Sequence, residues 1–359
     1  MTDRISRTRR YVRRIDLATA WIVFFLLLAT YWLTVPPTVS YWDCPEYVAG
    51  AYLLETGHPP GNPTWMLAER IVTMFAPGPE HVALAVNLSS GIFTAFAGFF
   101  LCRIIFAAAY FVTTRLRRPK PRRNRHANRA AYAAGAALCG SLIFGWGDSV
   151  WFSAVEAEVY AMSIFMTAVC VWLMVKWAAI PDRGKAWRYL ILIAYLFGLS
   201  IGIHQLNLLC IPALAMIWGI KRRLRKPSSF ILIFFLSLAA VGCVLVGMMP
   251  STIALASQFE LFAVNSLGWT PLSGVAVYVI LLGASLILAL VVTAKSNNRG
   301  LMALAIFPAI YLSGIFIFSR HFMVGAAIAI LASLLMVRSE NFSARRLNLS
   351  MWMLTMILI

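Results

Sequence analysis

Acidic residues are scarce in this chain. It has thirteen Asp and Glu against thirty-one Lys and Arg, with five His. Charged residues of both signs make up 12% of the sequence, and hydrophobic residues 61%. A soluble domain of 359 residues would carry far more charge, so the composition excludes that class and implies a multi-span membrane protein. The six Cys form no CxxC pair and no Cys/His metal spacing, which argues against a zinc site or a disulfide framework. Cys102, Cys139, Cys170, Cys210 and Cys243 lie in apolar runs as small hydrophobes, and Cys44 stands alone in a polar stretch. A Walker loop, a GxGxxG fingerprint, HExxH and a Ser-centred elbow are all missing, which removes cytosolic nucleotide chemistry as a default. The net charge of +18 does not indicate a nucleic-acid partner, because nearly all Lys and Arg fall in short connectors between apolar runs. That is the pattern of basic cytoplasmic loops.

What is present is a succession of apolar runs. The basic head, residues 1–16, is expected on the cytoplasmic side, followed by a retained first span from Leu17 to Val35 that Pro36-Pro37 ends. A connecting loop, 36–81, contains a short segment, Thr64 to Phe75, suited to lying at the membrane interface. A long second span, Val82 to Val112, leads to a segment with eight Lys and Arg in seventeen positions. Further spans are expected at about 130–146, 160–180, 189–203, 206–220, 230–249, 272–293, 301–318 and up to Val337, with an outer segment from Pro250 to Pro271. The eleven residues from Leu349 to Ile359 are too few to cross about 30 Å of hydrocarbon, so a truncated or interfacial end is expected. The fold expected is therefore all-α and polytopic, with about ten or eleven transmembrane helices. It divides into a core, 17–220, and further helices over 221–359.

The connecting loop holds the chemistry. Residues 41–63, YWDCPEYVAGAYLLETGHPPGNP, place Asp43, Glu46, Glu55 and His58 together in a chain poor in acids. Asp43 and Glu46 are three apart and share a helix face, which suits general-base work by one and substrate or metal holding by the other. The same spacing equally describes an N-cap and its capping box. His58-Pro-Pro-Gly-Asn-Pro is a rigid turn, able to hold a side chain in one place or simply to order a loop. Glu156 and Glu158 precede the fourth span, where carboxylates also complement a helix N-terminus. His204 sits at a junction between spans. Arg70 and Arg320 are outward cations, either phosphate partners or interfacial anchors.

The run VPPTVSYWDCPEYVAGAYLLETGHPPGNP resembles the opening of a bacterial membrane family common in Bacteroidota, related to the eukaryotic transmembrane O-mannosyltransferases of the GT-C superfamily. VWFSAVEAEVYAMSIF (150–165) and GLSIGIHQLNLLCIPAL (198–214) fit the same family in order. The resemblance implies a GT-C fold. It implies a polyprenyl-phosphate-linked sugar donor and a protein or glycan acceptor, with inverting transfer to a Ser or Thr hydroxyl at the periplasmic face of the bacterial inner membrane. It implies Asp43 as base and Glu46 as the orienting acid, with His58, Glu156, Glu158 and His204 lining the cavity. Arg70 or Arg320 near the leaving phosphate follows from charge and side alone. A divalent metal is possible, and no other cofactor is implied. Pro45 stands where relatives often have Gly, and many relatives continue into a soluble repeat-bearing region. Against this stand a lipid-linked substrate transporter or flippase, which would want ionisable groups inside the spans, and a non-catalytic envelope assembly protein.

Overall fold

A computed structural model describes residues 2–59, 61–115, 125–180, 186–222, 224, 226–317 and 321–337. Among the described residues all regular structure is helical. The terminal run from Leu349 and the cation Arg320 lie outside them.

Two compact units divide the chain, residues 1–210 and 211–359. The first contains α1 (Thr2–Thr34), α2 (Cys44–Leu53), α3 (Pro63–Thr73), α4 (Val82–Arg115), α5 (Arg125–Gly145), α6 (Asp148–Ala154), α7 (Val159–Ala179) and α8 (Trp187–Ile201). A 3₁₀ turn, Gln205–Cys210, closes it. The second contains α9 (Ile211–Lys221), α10 (Pro227–Gly242), α11 (Met249–Leu267), α12 (Ser273–Lys295), α13 (Arg299–Leu312) and α14 (Phe322–Val337). Five helical stretches are long and apolar enough to cross a membrane: 8–34, 79–114, 159–179, 227–267 and 273–295. A sixth arises if 126–145 and α6, bent by 69° from one another, form one broken span. The stretches 187–201, 205–221, 299–312 and 322–337 are apolar but shorter. The protein is a polytopic α-helical membrane protein.

In the first unit α4 is the central post, packing on α1, α5 and α7. At 34 residues it is about 50 Å long, well beyond a bilayer core, so it tilts or projects from it. α1 approaches it closely because Gly98 carries no side chain: a Cβ there would lie 2.4 Å from Leu27. Charge inside this bundle is paired. Arg103 of α4 donates from Nη2 to Asp16 Oδ2 of α1 at 3.0 Å, and its guanidinium lies 5.0 Å from the Trp172 ring of α7.

A second core lies at one end of the same unit. Cys44, Tyr47, Val48 and Ala51 of α2 meet Trp65 and Met66 of α3, Val82 and Val86 of α4, Val159 and Met162 of α7, and Ile203. The connecting loop is thus anchored to the spans by its own apolar face.

In the second unit α9 packs on α10, α11 on α12, α12 on α13, and α13 on α14. Here the structure corrects one expectation. Pro250 does not begin a non-helical outer segment: α10 runs through a π-helical turn, Cys243–Met248, into α11, giving a 41-residue stretch. The wider turn lies directly ahead of Pro250, where a helix that must pass a proline without its N–H loosens its hydrogen-bond register.

Candidate active site

α2 begins as its sequence suggests, with Pro45 in the first turn and Asp43 at the N-cap position. The capping box does not form. The Asp43 carboxylate makes no bond to the helix amides, and Glu46 turns away from the helix start. Its Oε2 lies 3.0 Å from His58 Nδ1, and its Oε1 accepts the His58 backbone N–H at 2.5 Å. His58 Nε2 lies 3.9 Å from Asp43 Oδ2. The imidazole therefore stands between two carboxylates, all three side chains exposed, with one ligand atom of each within 4.8 Å of the others.

The backbone around this group is unusual. Among the described residues four non-glycines have φ in the left-handed region, and three of them flank it: Trp42 (60°), Leu54 (57°) and Asn62 (41°). Such conformations persist where the surroundings over-determine them, and they gather at functional sites. Asn62 shows how this loop is held. It is buried, at 2% exposure, and its Nδ2 donates to Tyr47 Oη at 2.9 Å. The Tyr47 ring lies 5.0 Å from Trp65 and 5.8 Å from His58. A fixed wall of aromatic side chains thus backs the imidazole.

Electrostatics follow from these contacts. The hydrogen bond that His58 Nδ1 donates to Glu46 raises the His58 pKa, and the charges of Glu46, Asp43 and Glu158 add to it. Glu46 is lowered in turn by His58's side chain and backbone. Glu158, at the N-cap position of α7, is pushed up to about 7 by burial and by the charges of Glu156 and Asp43. Glu156 is buried and raised by that burial, while the Ser40 hydroxyl donates to its Oε2 and ties the loop's first residues to the α6–α7 turn. Burial and then the Glu158 and Asp43 charges raise Tyr47.

His204 follows the carbonyl that anchors α3. The Thr64 and Trp65 amides, unpaired at the start of α3, donate to the Gly202 carbonyl at 2.8 and 3.4 Å. That approach requires glycine, since a Cβ at position 202 would lie 2.2 Å from Thr64 Oγ1. His204 Nδ1 accepts the Leu206 N–H at 3.1 Å, its ring lies 5.2 Å from Tyr160, and burial lowers its pKa. It is a neutral imidazole with its proton on Nε2. Arg70 is directed elsewhere: its guanidinium donates to the Tyr52 carbonyl and lies 5.7 Å from the Tyr52 ring, tying α3 to α2.

The structure thus gathers Asp43, Glu46 and His58 in direct contact, sets Glu158 in their field, and joins Glu156 to the loop that holds them. His204 packs against Tyr160, two residues beyond the Gly202 carbonyl that anchors α3. It also reveals groups that sequence reasoning missed. Glu69 of α3 is fully buried, and Asn62 and Tyr47 form the brace behind His58. The available signal for Glu69 was its spacing, four residues after Trp65 and four before Thr73 on the inward face of a short helix. An open cavity of about 440 Å³ adjoins the loop, lined among others by Leu54, Glu55, Thr56, Gly61, Met66 and Leu67.

Fold and site define a class: a polytopic helical membrane protein whose first connecting loop presents a carboxylate–imidazole group at the head of the spans. Residues 43–228 match the family described as the protein O-mannosyl-transferase TMEM260 N-terminal domain, and the chain belongs to that family. The match begins at Asp43 itself and includes Glu46, His58, Arg70, Glu156, Glu158 and His204. The chain is also similar to the protein O-mannosyl-transferase TMEM260 of Mus musculus, at 26% identity over 167 residues. That alignment covers 45% of this chain and only 20% of the mouse protein. No solved structure matches.

Proposed function

We propose that this chain is a membrane glycosyltransferase of the GT-C type, moving a sugar from a polyprenyl-phosphate carrier to a Ser or Thr hydroxyl of a protein, with inversion. The family match supports a glycosyltransferase acting on proteins. The observation that carries the site assignment is the Asp43–His58–Glu46 group, which lies where that match begins.

In this reading Asp43 is the general base. Its carboxylate takes the acceptor hydroxyl's proton as that oxygen forms a bond to C1 of the sugar. The C1–O bond to the carrier phosphate breaks on the opposite face, and its electron pair leaves with the phosphate. A positioned carboxylate in this role contributes roughly 10²–10⁴-fold in rate. His58, whose pKa is raised by its hydrogen bond to Glu46, is the imidazole beside Asp43. Its Nε2 lies 3.9 Å from Asp43 Oδ2 and offers a donor to substrate oxygens. Arg70 is spent on Tyr52 and is not assigned the leaving phosphate. Glu158, raised to about 7, is a carboxyl beside this group able to change charge near neutrality. If a divalent ion binds, Asp43 and His58 Nε2 are its natural first ligands, with Glu46 orienting the ring through Nδ1.

In this reading the N-terminus lies on the cytoplasmic side and the site on the opposite face, which the distribution of basic loops supports. The membrane is the bacterial inner membrane that the resemblance of the loop motifs implies. The test is intact-mass analysis of exported glycoproteins from cells carrying the wild-type gene, Asp43→Asn, or a deletion. Sugar lost in the deletion, restored by wild type and not by Asp43→Asn, is expected. Unchanged glycans in the deletion would favour the transporter or assembly reading.

A further inference from the structure

Glu69 has no part in the chemistry above, yet it is the most completely buried carboxyl among the described residues, at 0% exposure. Its two oxygens lie 2.8 and 2.7 Å from the Ser89 hydroxyl of α4, and that same hydroxyl lies 2.9 Å from the Val86 carbonyl. A serine hydroxyl has one proton to donate. Were Glu69 ionised, that proton would have to serve the carboxylate, leaving the Val86 contact without one. With a proton on Glu69, the acid donates to Ser89, Ser89 donates to Val86, and each proton has an acceptor.

The surroundings give an ionised Glu69 no support. On its own helix, Arg70 is taken up by the Tyr52 carbonyl. On α2 the titratable groups are Cys44, Glu46, Tyr47 and Tyr52. Glu46 is held by His58, and Tyr47 is bonded to Asn62. α4 meets Glu69 with Ser89. No ion pair to Glu69 exists among the described residues. In keeping with this, burial pushes its pKa up to about 8, with Ser89 acting against the rise.

Glu69 shares its buried face with Trp65, whose ring packs on Tyr47, which in turn flanks His58. We propose that Glu69 is a positioning residue, a neutral carboxylic acid whose hydrogen bond to Ser89 fixes α3 on α4 and, through Trp65 and Tyr47, sets the place of His58. The link to catalysis rests on the reading of the Asp43 group as the transfer site. The docking of α3 does not. Because the folded value lies above the ordinary 4.5, the stabilisation is fully present below 4.5, declines as pH rises toward about 8, and is level beyond.

The test is hydrogen exchange of residues 63–73 in the full chain in lipid nanodiscs at pH 6 and 8, for wild type, E69Q and E69A, corrected for intrinsic rates. An acid that ionises only on opening gives an opening equilibrium that rises about tenfold per pH unit, so up to ~100-fold over this interval in wild type. E69Q is expected to show no such rise, and E69A to be open at both pH values. Wild-type protection that ignores pH would overturn the proposal. So would an E69Q rise equal to wild type, or E69Q as open as E69A. Infrared spectroscopy of the wild type adds a reading that needs no folded variant: beside the Glu158 carboxyl, which titrates at about 7, a second protonated carboxyl band that persists above it and titrates away at about pH 8. If no such band is seen, Glu69 is ionised and the proposal fails. In parallel, mannosyl transfer from polyprenyl-phosphate mannose to a Ser/Thr peptide is followed, and the ratio of wild-type to E69Q rates is expected to fall from pH 6 to 8. No transfer by wild type, with the pH-dependent protection intact, faults the functional reading alone. A constant ratio, with wild type active, faults the positioning role.

Discussion

Glu46 and His58, twelve positions apart, are joined twice: ring nitrogen to carboxylate at 3.0 Å, and backbone N–H to the other carboxylate oxygen. The second bond matters as much as the first, because it fixes the turn's backbone as well as the ring. Gly57 makes room for it, as a Cβ there would sit 3.0 Å from Glu46 Oε1. A helix-capping acid would have used the same carboxylate on amides of its own helix.

The pair has a defined pH window. His58 is raised above 6.5, so its contribution is fully present below 6.5 and is lost as pH climbs through the folded value. Glu46 is lowered below 4.5, so its contribution is present above 4.5 and is lost as pH falls through the folded value. Histidine NMR titration of the wild type is expected to place one midpoint above 6.5, and Glu46→Gln to bring that midpoint down toward the ordinary value. An unmoved midpoint in the variant would mean the pair does not form in the membrane.

Gly202→Ala is expected to disturb the site from outside it. The added methyl must displace Thr64, whose N–H and its neighbour's anchor α3 on the Gly202 carbonyl. Overpacking of this kind costs about 1–3 kcal/mol. A lowered unfolding midpoint in detergent, together with a shifted His58 titration, is the expected result.

Much of this was legible in the sequence, and the exceptions share a cause. Periodic apolar runs and basic connectors marked α4, α7 and α12 to within a few residues, because span length and charge placement are local properties. α1 matches only at its end: its helix starts at Thr2 and takes in the basic head expected apart from the span. Asp43, Glu46 and His58 stood out by scarcity alone. The capping box and the carboxylate–imidazole pair could not be told apart, since that depends on where His58 returns in space. Glu69 was missed because a lone Glu in a short helix normally faces water, and only the packing of α3 on α4 turns it inward. Pro250 reads as the start of an outer segment, and a π-turn, which has no sequence rule of comparable strength, carries the helix past it.

Arg103 and Asp16 pair between α4 and α1, with both side chains largely buried. Removing one partner leaves the other charge uncompensated, so Arg103→Met is expected to destabilise by about 3 kcal/mol. Replacing both, in Asp16→Leu with Arg103→Met, is expected to recover most of that loss. Unfolding in mixed micelles measures each variant, and a double variant no better than the single would show that the pair's packing against Trp172 matters more than its charge balance.

The central claim is that Asp43, beside His58, removes the acceptor's proton. Its most direct measurement is transfer of labelled mannose from polyprenyl-phosphate mannose to a Ser/Thr peptide by the purified, reconstituted chain, wild type against Asp43→Asn. The account predicts a fall of at least ~10²-fold with the donor still bound. Transfer by Asp43→Asn at the wild-type rate would contradict it.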